Sequence, residues 1–175
     1  MLKLLNNKSV LSAAAVLAVL AASQSAQAQT TLGVSASIGA TCIVTTSNMA
    51  FGLYDPTSAT DLNAPTPGQV QLSCTTGAVP RIDINNGSNF SGGTRRLASG
   101  ANFLNYSVFQ PTSNAAGAAC PAVGSGTAWA SGTPFVLTAA PNTAARAYNV
   151  CGRIPAGQAS AVGSYADTLT ATITF

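Results

Sequence analysis

The sequence predicts an all-β sandwich, and three observations carry the prediction. Apolar and polar residues alternate with a period of two in several short stretches, most cleanly over residues 165–175 (YADTLTATITF). Glycine and proline recur every few positions, and no window after residue 28 holds an apolar period of 3.6. The four cysteines, Cys42, Cys74, Cys120 and Cys151, all follow an export-like leader, which suits a secreted β-protein stapled by two disulfides. Six to eight short strands separated by turns make a sandwich, with no internal repeat and no second domain.

The leader is residues 1–28. Lys3 and Lys8 give it a positive start, residues 10–22 form an apolar run too short to span a bilayer, and Ala26-Gln27-Ala28 is a small-residue cleavage site. Cutting is expected before Gln29. The chain beyond it carries five Arg (81, 95, 96, 146 and 153) against four Asp (55, 61, 83 and 167), and no Lys, Glu or His. So small a positive balance gives nucleic-acid binding almost no electrostatic footing. It also gives little protection against self-association.

Residues 29–40 (QTTLGVSASIGA) read as a strand, with Leu32, Val34, Ala36 and Ile38 on one face. Residues 41–47 begin another extended run after Gly39. Residues 48–63 are turn-rich: Asp55-Pro56 starts a turn, and Met49, Phe51 and Tyr54 are expected to plug one end of the core. Residues 69–75 alternate with Val70, Leu72 and Cys74 inward, and residues 81–85 with Ile82 and Ile84 inward. Asn86-Gly87 and Ser91-Gly92-Gly93 mark turns, and Arg95-Arg96 is expected in a solvated turn. Residues 102–110 are an aromatic strand. Residues 111–134 form a long loop containing Cys120 and Trp129, and tethering through Cys120 would explain its length. Residues 135–138 and 147–152 read as short strands, residues 154–158 as a tight turn.

Residues 165–175 are the last strand. Leu169, Ala171, Ile173 and Phe175 face one way and Thr168, Thr170, Thr172 and Thr174 the other. No residue follows to pair with its free edge, and a long apolar edge is normally covered.

The parts of an enzyme are missing. Without histidine no base stands beside a Ser or Cys nucleophile, and the four aspartates are scattered rather than paired. The glycine-rich segments precede no helix, so no phosphate cradle is implied. Without His or C-x-x-C, zinc is not expected, nor any other metal or cofactor. Trp129 in a polar loop could stack on a sugar or cap the sandwich, and the cap is favoured.

Several stretches taken together resemble one family. Ala40-Thr41-Cys42-Ile43-Val44 leads into Met49-Ala50-Phe51-Gly52-Leu53-Tyr54-Asp55-Pro56, then Val70-Gln71-Leu72-Ser73-Cys74 and Asn86-Gly87-Ser88-Asn89. Arg95-Arg96-Leu97, Leu104-Asn105-Tyr106, residues 152–158 (GRIPAGQ) and residues 163–169 (GSYADTL) follow in order. The chain resembles the spore coat protein U domain family, which includes the pilin subunits of archaic (Csu-type) chaperone–usher pili. The resemblance implies an incomplete immunoglobulin-like β-sandwich that lacks its last strand and is completed by a donor strand from a neighbouring subunit. It implies a signal peptide at 1–28, a donor strand at 29–39 and a pilin domain at 40–175. Leu32, Val34, Ala36 and Ile38 would be the donor knobs, and Leu169, Ala171, Ile173 and Phe175 one wall of the acceptor groove.

The implied partners are other copies or related pilin subunits in a head-to-tail polymer, a periplasmic chaperone and an outer-membrane usher. The implied destination is a cell-surface pilus reached through the periplasm. The family pairs its first two cysteines, here Cys42 and Cys74, which leaves Cys120 with Cys151. That second pair departs from the family, which usually has an aromatic or aliphatic residue at Cys151 and often a Trp-Gly segment around Cys120. Two other readings stand beside the pilus subunit: a secreted coat or matrix protein with the same sandwich, and a monomeric carbohydrate-binding module using Trp129 and Tyr106.

Overall fold

Among the described residues, alternation and turns resolve into nine strands in two sheets. The computed structural model describes residues 30–175, so the leader at 1–28 and Gln29 lie outside the described residues. In chain order the strands are β1 (Cys42–Ser47), β2 (Leu62–Asn63), β3 (Gly68–Cys74), β4 (Arg81–Ile84), β5 (Arg95–Ser99), β6 (Asn102–Phe109), β7 (Phe135–Val136), β8 (Arg146–Ile154) and β9 (Ala171–Thr174). Among the described residues there is no helix. The first sheet runs β1-β3-β8-β6-β5, with β2 added on β8; the second runs β7-β4-β9. Every pairing is antiparallel.

Ser37–Phe175 is one unit, and residues 30–36 belong to another. Residues 30–41 carry no regular secondary structure, and Leu32, Val34 and Ile38 are about nine-tenths exposed, at 88%, 90% and 86%. The alternation there is real, but a strand is defined by a ladder, and this stretch joins none among the described residues.

The core lies where the inward faces of the two sheets meet. Val70, Leu72 and Cys74 of β3 and Leu104, Tyr106 and Val108 of β6 are buried, together with Tyr148, Val150 and Ile154 of β8. Ile82 and Ile84 of β4 close the opposite layer. Val70 stands opposite Tyr148 in the ladder, so a β-branched side chain packs beside an aromatic one across the strands. Trp129 is fully buried and meets Phe135 edge to face at 5.4 Å between ring centres. It fills the core, and with Tyr106 only 3% exposed neither ring is available to stack on a sugar.

Arg95-Arg96 is not a solvated turn. Both residues lie in β5, and Arg95 is buried. Its guanidinium donates through Nε to the Asn85 carbonyl at 3.0 Å, through Nη1 to Trp129 at 2.9 Å, and through Nη2 to Ile84 at 3.1 Å and Asn85 at 2.7 Å. These carbonyls lie where the chain leaves β4 and where the long loop enters the core. The planar fork satisfies them together, which a lysine could not do. Neighbouring Arg96 stacks on the Phe103 ring, 4.0 Å from its centre.

The long loop is tied down at several points. Trp129 N–H donates to Val108 O at 2.8 Å and Gln110 N–H to Thr127 O at 2.9 Å. Arg153 of β8 donates through Nη2 to Ala122 O at 2.8 Å and Ser125 O at 3.0 Å, and lies 4.3 Å over the Phe109 ring. A disulfide joins Cys120 to Cys151 on the same strand, and a second joins Cys42 to Cys74, directly opposite each other in the β1–β3 ladder. Backbone bonds, a clamped guanidinium and a covalent tether replace the ladder that a segment without strands lacks.

The Cys120–Cys151 bridge spans a sequence separation of 31 residues. Closing a loop of that size in the unfolded chain corresponds to about 3–4 kcal/mol of stabilisation. The double substitution Cys120→Ala, Cys151→Ala should lower the unfolding free energy in urea by about that amount, while the Cys42–Cys74 bridge still forms by mass.

Candidate functional site: an open seam between two sheet edges

β1 ends the first sheet and β9 ends the second, and among the described residues neither has a strand on its outer side. Between these edges runs a groove of about 950 Å³. Residues 46–54 form one wall and residues 165–169 with Ala171 the other. Its floor is the edge of the core, where Ile84, Leu97, Leu104, Tyr106, Val150 and Ile154 border the groove. Aliphatic and aromatic side chains make this floor, while Thr46, Ser47, Asn48, Asp167 and Thr168 stand along the walls.

The first wall is held close by absent and by bonded atoms. Gly152 of β8 has no side chain, and a Cβ there would run into Met49 Sδ and the Phe51 ring. That bare backbone lets both side chains lie flat over β8. Phe51 meets Tyr106 edge to face at 6.1 Å between ring centres. Ala50 and Thr66 bridge through the backbone, with Ala50 N–H to Thr66 O at 2.9 Å.

Farther along, Tyr54 locks the wall to the turn after β8. Its hydroxyl donates to Pro155 O at 3.0 Å and accepts from Gln158 N–H at 2.8 Å. The Gln158 amide in turn reads both backbone groups of Asn105, accepting from its N–H at 2.8 Å and donating to its carbonyl at 2.9 Å. Asp55 closes the following turn by accepting from the Thr57 hydroxyl at 2.7 Å and its N–H at 2.8 Å. Those bonds, the hydroxyl's first, hold the Asp55 carboxyl below its ordinary range.

The second wall is β9 and the segment leading into it. Asn85 N–H donates to Thr170 O at 3.0 Å, and the ladder pairs Asp83 with Thr172 and Arg81 with Thr174. Antiparallel bonding alternates along a strand, so the N–H and C=O groups of Leu169, Ala171 and Ile173 face away from β4, toward the seam. The regular ladder covers only Ala171–Thr174 because β4 ends at Ile84 and the chain turns at Asn86-Gly87, with Gly87 at φ 86°. Before that point single bonds hold the segment: Ser88 N–H to Thr168 O at 3.1 Å, and a two-way bridge between Ala98 and Ala166.

Asp167 shares the inward phase of Leu169 and Ala171 and lines the same groove. Its Oδ2 accepts from Tyr106 Oη–H at 2.7 Å; its Oδ1 accepts from the Asn89 N–H at 3.1 Å and from Asn89 Nδ2 at 3.0 Å. Burial first, and then this bond, push the Tyr106 phenol well above its ordinary value, so it stays a hydrogen-bond donor. Gly87 makes room for the carboxylate, which a Cβ at that position would strike.

The residues singled out by the sequence are distributed unevenly. Leu169 and Ala171 line the groove. Ile173 packs half-buried against the core beyond the lining, and Phe175 is 56% exposed. Leu32, Val34 and Ala36 belong to the other unit, and Ile38 stands exposed at the start of the sandwich unit. Met49, Phe51 and Tyr54 pack against the core and also line the groove. Alternation did not reveal the roles of Tyr106 and Asp167, since a lone polar residue in an inward phase reads like any other polar position.

A comparison with protein families matches residues 28–172 to the Spore Coat Protein U domain. Among solved structures, the chain is similar to the CsuC-CsuE chaperone-tip adhesion subunit pre-assembly complex from archaic chaperone-usher Csu pili of Acinetobacter baumannii. The identity is 21% and the TM-score 0.52, over 79% of this chain and 40% of that chain. The chain therefore spans less than half the length of the chain it matches, and the likeness is one of fold. No curated protein matches the sequence.

Gly152→Ala tests the construction of the first wall. The added methyl has to displace Met49 and Phe51, and overpacking of this kind costs about 1–3 kcal/mol. The urea midpoint should fall accordingly, with tryptophan fluorescence still reporting a buried Trp129.

Proposed function

The chain belongs to the Spore Coat Protein U domain family, and on that premise we propose that it is a structural subunit of an extracellular pilus, assembled by the chaperone–usher pathway through donor-strand complementation. The observation that carries this reading is the open seam: a groove with an apolar floor whose β9 wall turns the backbone groups of Leu169, Ala171 and Ile173 away from β4, with no strand beside them among the described residues. An inserted strand satisfies those groups and covers the floor in one step. The segment at 29–39 has the alternation such a strand needs, with Leu32, Val34, Ala36 and Ile38 as its knobs. Leu32, Val34 and Ile38 are exposed, as a segment awaiting a partner should be.

The energies suffice. Burying a Leu, Val or Ile side chain contributes roughly 1.5–3 kcal/mol, so three of them with an alanine contribute about 5–10 kcal/mol before ordering costs. The backbone ladder adds to this. A donor at one end and an acceptor seam on the sandwich make a heterologous joint, which does not close and grows a fibre. The partners are then further copies or related pilin subunits, with a periplasmic chaperone to cover the seam beforehand and an outer-membrane usher to export the product. Residues 1–28 act as the signal peptide, 40–175 as the pilin domain, and the destination is the cell surface.

Deleting residues 29–38 and running exported material on an unboiled gel tests this directly. A ladder of stable oligomers should vanish, with the monomer recovered alongside a chaperone; a deletion variant that stays folded, alone and monomeric contradicts the reading. Val34→Asp or Ile38→Asp should block assembly and spare chaperone binding, because the groove would have to bury an unpaired carboxylate. Normal fibres from either variant would show that these side chains are not the knobs.

A further inference from the structure

We propose that Asp167 is a positioning residue for strand capture: through Tyr106 and Asn89 it pre-sets the first half of the acceptor wall before a donor arrives. This rests on the donor-strand reading and adds to it a residue and a step.

The two halves of the wall are held by different means. From Ala171 onward β4 supplies a regular ladder. Ahead of it β4 has ended, and the backbone of residues 165–169 leans on isolated bonds from Ser88 and Ala98. A strand secured at scattered points loses more freedom when a partner docks on it, and that ordering opposes binding. Asp167 stands in this weaker half and gathers three donors from two separate elements, the Tyr106 hydroxyl on β6 and the Asn89 backbone and side-chain amides. Asn89 Nδ2 also donates to Ala166 O at 3.2 Å, so the turn grips the wall on both sides of the carboxylate.

The burial and chemistry of the cluster fit this use. Tyr106 is 3% exposed and belongs to both the core and the groove floor, so its hydroxyl is a fixed point rather than a mobile surface group. Gly87, whose φ of 86° suits glycine, leaves the space the carboxylate occupies. Leu169, two residues on and in the same phase, is thereby set between the Asp167 anchor and Thr170, whose N–H donates to Asn85 Oδ1 at 2.9 Å. With the wall fixed in advance, an incoming strand meets backbone groups already spaced for a ladder. Asp167 and Tyr106 need not touch the donor's side chains for this to hold.

The test uses the mature chain, residues 29–175, carrying Val34→Asp so that its own donor segment does not compete, and a fluorescent synthetic peptide of the unsubstituted residues 29–40 as donor. Peptide capture is followed by anisotropy, and the urea midpoint is measured for the unloaded and the peptide-loaded chain. For Asp167→Ala and Tyr106→Phe, capture should slow about tenfold or more, with the loaded midpoint nearly that of the unchanged chain, since the bound strand then orders the wall. Asp167→Asn, which keeps a carbonyl acceptor, should recover part of the rate. If Asp167→Ala fails to fold, Tyr106→Phe, which retains the ring in the core, decides. Unchanged capture rates overturn the inference, as does a fall in the loaded and unloaded midpoints alike with no separate effect on rate. If the unchanged chain captures no peptide, the donor-strand reading fails and this inference with it.

Discussion

A strand edge whose N–H and C=O groups lack partners is the constraint on which the rest of this molecule depends. Such an edge is tolerated on a surface only when it is short, twisted away, charged or covered. β9 is short, at four residues, but it carries no charge: its outer residues are threonines, its inner ones aliphatic, and no lysine lies in the chain beyond residue 8. β1 repeats the situation on the facing sheet, with Ile43 at 72% exposure. Two unprotected edges on either side of an apolar floor define a vacancy shaped like one strand.

Both walls of the groove are held by contacts from outside the core. The wall from Met49 to Tyr54 is seated on Gly152 and latched by Tyr54 to the Pro155–Gln158 turn. The β9 wall is fixed by β4 along one half and by Asp167 along the other. Behind the groove, Arg95 and Arg153 gather carbonyls that irregular segments would otherwise leave buried and unbonded. Both guanidiniums are buried, and each holds a loop against the sheet to which it belongs.

Much of this was legible in the sequence, where periodicity bears on burial. The inward phases of Val70, Leu72 and Cys74, of Ile82 and Ile84, and of Leu169, Ala171 and Ile173 follow from period two alone, because one face of each strand meets the core. β5 was not legible. RRLAS carries two charges and no clean alternation, and Arg95 enters the core only because distant carbonyls await it there. The groove wall at residues 46–54 was hidden for the same kind of reason. Its placement depends on a glycine more than ninety residues later in the chain, a relation that no local pattern records. The stretch at 30–41 shows the converse: period two marks a segment fit for a ladder, and a ladder also needs a neighbouring strand.

The central claim is that the seam is open and takes a strand along β9. Amide hydrogen exchange at Ala171 and Ile173, whose N–H groups face the seam, against Thr172, which bonds to β4, tests it most directly. In the monomeric chain, Ala171 and Ile173 should exchange much faster than Thr172, and addition of a peptide of residues 29–40 should slow both to the rate of Thr172. Protection of Ala171 and Ile173 in the isolated monomer before any peptide is added, or exchange that the peptide leaves untouched, would contradict the account.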